Sequence, residues 1–147
     1  MAHTRLQDIF IKGAIKPEFI AESIAKLQSK SGIGAHDIFL GQVRADLIKG
    51  REVVAIEYSA YEEMANRQFN EIVEASSEKF KLGYLQVYHS LGIVKMGEIC
   101  LFVLASAPHR NVVFKAIQYT VEEIKNKVPV FGKELFEDDS YQWKVNS

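Results

Sequence analysis

The sequence predicts an α+β fold, and three observations carry that expectation. The run Ile99–Ala105 (ICLFVLA) is apolar on both faces, as a central strand covered on both sides is. Two long stretches, Glu62–Lys81 and Asn111–Lys127, repeat apolar residues at helical spacing. Strand-like and helix-like runs are mixed without the strict alternation of a doubly wound sheet. At 147 residues, the chain reads as one domain over 1–147.

Each element has a local reason. Leu6–Ile11 reads as a short strand closed by Gly13. Pro17 opens a helix, because the N–H it lacks would have no partner in a first turn. Ile20, Ile24 and Leu27 follow at helical spacing, and Gly32 and Gly34 stop the run. Asp37–Arg44 (DIFLGQVR) reads as a strand whose Gly41 marks a bulge or a close approach to the backbone. Ala45–Arg51 is polar and reads as a loop. Val53–Tyr61 alternates, with Val54, Ile56, Tyr58 and Ala60 on one face and Glu57, Ser59 and Tyr61 on the other.

In the helix Glu62–Lys81, the inner stripe is Ala65, Phe69, Ile72, Val73, Ser76 and Phe80. Tyr84–Ser90 is the next strand, and Gly92 and Gly97 bracket a hairpin-like excursion, Ile93–Met96. Pro108 ends the central strand. Asn111 is the candidate cap of a helix reaching about Lys127, with Val113, Ala116, Ile117, Val121 and Ile124 inward and Pro129 as its stop. The remaining tail reads as irregular, with one short strand at Gln142–Val145.

Composition excludes several function classes. A net charge of −1 excludes a globally basic nucleic-acid binder, though not a local basic pocket. The single cysteine, Cys100, cannot form an internal disulfide or build a zinc site alone, and its apolar strand favours a buried, inert thiol. The four histidines never pair at helical spacing, so no metal site is expected from them. No signal-peptide h-region and no membrane-length apolar run are present in the sequence, which gives the expectation of a soluble, cytoplasmic protein.

The remaining chemistry is cationic. Arg44 ends a strand, His109 and Arg110 stand between the central strand and a helix start, and Lys125, Lys127 and Lys133 surround the end of that helix. Brought together, they would form an anion site, with Arg110 and the free N–H groups near Asn111 suited to a phosphate. Each has a plainer reading. Arg44 is equally a solvated strand end, and His109–Arg110 a common surface pair. Lys125 and Lys127 also complement the helix macrodipole, and Lys133 is a solvated loop charge. These residues alone name no reaction.

Taken together, DIFLGQVRADL (37–47), AIEYSAYEEMA (55–65), VYHSLGIVKMGEICLFVLASAPHRNVVFKA (87–116) and EEIKNKVPVFGKE (122–134), followed by Trp143, resemble the large, catalytic subunit of molybdopterin synthase. The stretches cover nearly the whole chain in order. The ordered set is the specific feature, with His-Arg after the apolar strand and Lys-x-x-x-Pro closing the last helix.

The resemblance implies an α/β-hammerhead-type fold with a mixed or antiparallel sheet and three main helices. It implies a sulfurtransferase of molybdenum cofactor biosynthesis. Such an enzyme moves two sulfurs from the C-terminal Gly-Gly thiocarboxylate of a small ubiquitin-like subunit to a cyclic pyranopterin monophosphate, forming the molybdopterin dithiolene. It further implies a homodimer of large subunits within a heterotetramer and no cofactor. By position, Lys125 matches the family's principal catalytic lysine, and Arg44, His109 and Arg110 match its anion-pocket residues, with Lys127 a further candidate.

One departure stands out. The family commonly reads Pro-x-Trp-Lys-(Lys/Arg)-Glu after the helix, where this chain reads Pro129-Val130-Phe131-Gly132-Lys133-Glu134. The second family lysine therefore aligns with Gly132, and Lys133, one position later, is the expected replacement. The contrasting expectation is a non-catalytic dimeric module that binds a phosphorylated ligand or a ubiquitin-like tail.

Overall fold

A computed structural model describes residues 6–145. The elements run β1 (Phe10–Lys12), α1 (Pro17–Leu27), β2 (Ala35–Gln42), β3 (Leu47–Ile48), β4 (Arg51–Ala60), α2 (Glu62–Phe80), β5 (Tyr84–Lys95), β6 (Ile99–Ala107), α3 (Arg110–Lys127), β7 (Val130–Phe136) and β8 (Tyr141–Trp143). The α+β class and the three helices are as expected. The strands form one sheet in the order β2-β6-β5-β4-β7-β8, with β1 added on β5 and β3 on β4. All pairings are antiparallel except β1 with β5.

β6 is central because both its faces are covered. Leu101, Val103 and Ala105 enter one core, which also holds Phe69 and Ile72 of α2 and Ala116, Ile117 and Ile124 of α3. Phe102 and Leu104 point the other way, into a smaller core with Ile20 and Leu27 of α1. Each of these β6 side chains is essentially removed from water, which stabilises the fold by roughly 1.5–3 kcal/mol per large apolar side chain. The inner faces of α2 and α3 match the stripes expected, with the addition of a fully buried Thr120 in α3.

Several boundaries differ from the sequence reading. The expected break at Gly92 is absent. β5 continues through it, pairing with β6 over Tyr84–His89 and with β4 over Gly92–Lys95. Gly92 has φ +84°, a backbone state that costs a glycine little, and it sits where the strand passes from one neighbour to the other. In β4, a register shift between Val53 and Ala55 reverses the phase of the alternation. Val53 is buried and Val54 only partly so, and Ile56 and Tyr58 then turn inward together. The loop expected over Ala45–Arg51 contains a small hairpin, β3 folding back on β4. The Asn111 cap is replaced by an extended His109 (φ −130°), and α3 starts at Arg110.

The tail is the largest correction. It carries two strands, β7 against β4 and β8 against β7. Its alternation is masked because a glycine and a carboxylate occupy inward positions. Glu134 is buried and accepts from Gln142 Nε2 at 3.3 Å.

Candidate active site

The C-terminal turn of α3 carries Lys125 beside an open cavity of about 460 Å³. Its walls come from four further places: Tyr58 of β4, His89 of β5, Gly132 of β7, and Trp143 and Lys144 at the end of β8. Pro129 stops the helix, and the Val128 N–H closes it onto the Ile124 carbonyl at 3.1 Å. The chain then turns directly into β7, which lies along β4 with Gly132 opposite Tyr58. This short connection fixes Lys125 against the sheet.

Lys125 keeps surface open to the cavity, while the protein around it removes part of its hydration. That desolvation holds its ammonium below the ordinary lysine pKa, and the positive charge of Lys144 lowers it further. The neighbouring Cys100 acts in the opposite direction.

His89 is buried. Its Nδ1–H donates to the Ser90 carbonyl at 2.8 Å, which leaves Nε2 as the unprotonated nitrogen. Burial lowers its pKa to about 4, against the weaker raising effect of the Ser90 bond, and Lys125 adds to the lowering. The ring packs edge-on to Tyr58 with centroids 5.1 Å apart. Burial first, then Cys100 and Glu134, push the Tyr58 hydroxyl well above its ordinary pKa. The cavity is therefore lined by a neutral imidazole, a protonated phenol and the side chains of three lysines, Lys125, Lys127 and Lys144.

The other expected site residues are dispersed within one chain. His109 and Arg110 line a separate hollow of about 350 Å³ with Asn111, at the far end of α3. Fifteen residues of helix separate Arg110 from Lys125, about 22 Å at the helical rise. Arg44 follows β2 on the side of the sheet where β6 begins, is well exposed, and pairs with Asp46 at 3.3 Å. Lys127 borders the cavity and is held by Glu123 at 2.9 Å.

Lys133 is absent from the cavity wall. Strand alternation puts it on the opposite face of β7 from Gly132. There its ammonium lies 4.4 Å from the Tyr141 ring centroid, 5.3 Å from that of Trp143, and 3.9 Å from a Glu57 oxygen. Lys133, the expected replacement for the family's second lysine, does not turn into the cavity, because Gly132 is held in the ladder by its pairing with Tyr58. Sequence reading passed over three residues of the wall: Tyr58, His89 and Lys144. The alternation of β4 already put Tyr58 on the inward face with Ile56. Nothing in local sequence distinguishes His89 or Lys144.

Comparison with known proteins places this geometry. The family model described as MoaE protein matches residues 15–127. The chain belongs to the MoaE family. Among curated relatives, the molybdopterin synthase catalytic subunit of Drosophila virilis is 34% identical over 125 residues, covering 84% of this chain and 36% of that protein. The protein of the same name from Drosophila willistoni is 38% identical over 117 residues, covering 78% of this chain and 31% of that one. The chain thus spans about a third of the length of these relatives.

Among solved structures, molybdopterin synthase from Staphylococcus aureus superposes with a TM-score of 0.82 at 27% identity, covering 97% of this chain and 99% of that one. A complex of subunits 1 and 2 of molybdopterin-converting factor from Helicobacter pylori has a TM-score of 0.78 at 18% identity, covering 91% of this chain and 87% of that one, a likeness of fold. The MoaE match ends at Lys127, so β7, β8 and Lys144 lie outside it. No helix among the described residues is long and apolar enough to cross a membrane.

Proposed function

We propose that this chain is the catalytic subunit of a molybdopterin synthase. It transfers two sulfurs, one from each of two thiocarboxylated tails of small ubiquitin-like subunits, to a cyclic pyranopterin monophosphate, each tail leaving as a carboxylate. The observation that carries the reading is Lys125, partly desolvated beside an open cavity whose other polar groups, among the described residues, are neutral or cationic. The arrangement suits an anionic tail and an anionic substrate, and the only cysteine lies in the core, so the sulfur comes from a partner.

In this reading, the thiocarboxylate enters beside Lys127, Phe131 and Trp143, the most open part of the wall. Lys125 neutralises charge at the carbonyl and the pterin carbons and moves the proton that each sulfur transfer requires. Its pKa is lowered in the direction that favours giving up a proton, as general acid–base work requires. The neutral His89 and the protonated Tyr58 support it without adding competing charge. Arg44, His109 and Arg110 bind phosphate and pterin. Because His109 and Arg110 lie a helix length from Lys125, they reach its cavity from a second copy of the chain. The working assembly is therefore a homodimer of large subunits with a small subunit at each end, in the cytoplasm.

The test is single-turnover conversion of the pyranopterin by the purified chain and a thiocarboxylated Gly-Gly partner. The expected result is dithiolene pterin from the unaltered chain and a loss of about 100-fold or more in Lys125→Ala. Full turnover by Lys125→Ala would remove the mechanistic claim, and no product from a verified complex would remove the enzyme reading.

A further inference from the structure

Lys144 is the residue immediately after β8. Its backbone N–H donates to the Gly132 carbonyl at 2.8 Å, which holds it beside the centre of β7. A Cβ placed on Gly132 would lie 3.6 Å from the Lys144 Cβ, 3.4 Å from Tyr58 Cε1 and 3.1 Å from Ile56 Cγ2. The position is thus enclosed by Lys144, Tyr58 and Ile56, and any longer side chain there would compete with Lys144 for the same floor. The φ of Gly132 is not in the left-handed region, so backbone conformation does not require glycine at this position.

Three lysines border the cavity: Lys125, Lys127 and Lys144. Lys127 is neutralised by Glu123. Among the described residues, no carboxylate lies within ion-pair distance of Lys144. Lys144 is a partly buried residue on the same wall as Lys125, and with no carboxylate partner among the described residues it is suited to meet an anion from outside.

We infer that Lys144 is the second cation of the Lys125 cavity, binding the anionic group that enters it, and that Gly132 is small because Lys144 occupies the space above it. The inference rests on reading the cavity as the sulfur-transfer site. It assigns to Lys144 the place that the family resemblance suggested for Lys133, whose side chain is committed to the opposite face of β7.

Among the described residues, the titratable groups near Lys125 include Lys144, Lys127, Cys100, the neutral His89 and the protonated Tyr58. Of these, Lys144 is the one whose charge depresses Lys125. Its removal therefore raises the Lys125 pKa, a change that a purely structural residue would not cause.

The experiment compares Lys144→Gln, Lys144→Arg, Lys133→Gln and the double variant Lys144→Gln with Gly132→Lys. Each is assayed in the full complex with the thiocarboxylated partner, and the Lys125 side chain is titrated by NMR. Lys144→Gln is expected to lose about 10- to 100-fold in rate with an unchanged Tm, and to raise the Lys125 pKa. Lys144→Arg keeps most of the activity, Gly132→Lys recovers part of the loss, and Lys133→Gln loses less than Lys144→Gln.

The inference is overturned if Lys144→Gln stays within about twofold of the unaltered chain while Lys125→Ala is inactive, or if Lys133→Gln shows the larger loss. Full turnover by Lys125→Ala would instead remove the parent reading. In that case the NMR titration decides alone, and an unmoved Lys125 pKa in Lys144→Gln overturns the charge coupling.

Discussion

The Tyr58 hydroxyl donates to the Cys100 sulfur at 3.3 Å, and the Cys100 thiol donates onward to the Gly41 carbonyl at 3.4 Å. This short chain ties β4, β6 and β2 together beneath the Lys125 cavity. It also occupies the only thiol of the protein, which is 7% exposed. Cys100 should therefore react with an aromatic disulfide reagent on the order of 100-fold more slowly in the native protein than in denaturant. Tyr58→Phe removes the outer donor and should speed that reaction. Equal rates in native and denatured protein would contradict the buried placement.

His89 gives the fold a defined acid sensitivity. Its folded pKa of about 4 lies below the ordinary 6.5, so the unfolded chain binds the extra proton between these values. The sign follows directly: His89 costs no stability above about pH 6.5, and stability falls as pH drops from there to about 4. The full loss is on the order of 3 kcal/mol. Urea unfolding at a series of pH values would show the slope. His89→Gln should flatten it in that window, and an unchanged slope would rule out His89 as its source.

The separation of Arg110 from Lys125 leads to a complementation result. If the working site joins Lys125 of one copy to Arg110 of another, Lys125→Ala and Arg110→Ala should each be inactive as homodimers. After mixing and subunit exchange, about a quarter of normal activity should return, because half the dimers are mixed and each has one intact site of two. No recovery despite proven exchange would place the phosphate site within one chain or elsewhere.

Gly34 supports the other end of α3. Its N–H donates to the Ala107 carbonyl at 3.0 Å, and a Cβ on it would lie 2.3 Å from the Pro108 carbonyl oxygen. That contact is with backbone and cannot be relieved by a side-chain rotation. Gly34→Ala should cost about 1–3 kcal/mol in denaturant unfolding, and should move the Pro108–Arg110 segment. Its kinetic mark should be a raised KM for the phosphorylated substrate. A variant as stable as the parent would mean that the Pro108 turn is free to shift.

Much of the fold was legible because its strongest signals are local. The doubly apolar β6, the stripes of α2 and α3, Pro17 and Pro129 each state their structure within a few residues. The tail was harder to read because β7 places Gly132 and Glu134 on its buried side, so the apolar alternation is missing although the strand is present. In β4, the shift near Val54 changes which residues point inward, and no residue type announces it.

The site divides similarly. The place of Lys125 at the end of a helix was legible from spacing, while its proposed role comes from the family resemblance. Lys144 and His89 become neighbours of Lys125 only through the pairing of β7 with β4 and the course of β5, which are long-range facts. Lys133 shows the limit of linear spacing: one step along a strand reverses the face, so the adjacent lysine is on the wrong side.

α3 runs unbroken from Arg110, beside one hollow, to Lys125, beside the larger cavity. A single residue inserted in its middle would advance one end by about 1.5 Å and rotate it by about 100° relative to the other. Such a change would leave every local interaction at both ends available and still alter how the two ends are placed relative to each other. The unbroken helix Arg110–Lys127 thus sets both the spacing and the rotational phase of its two ends.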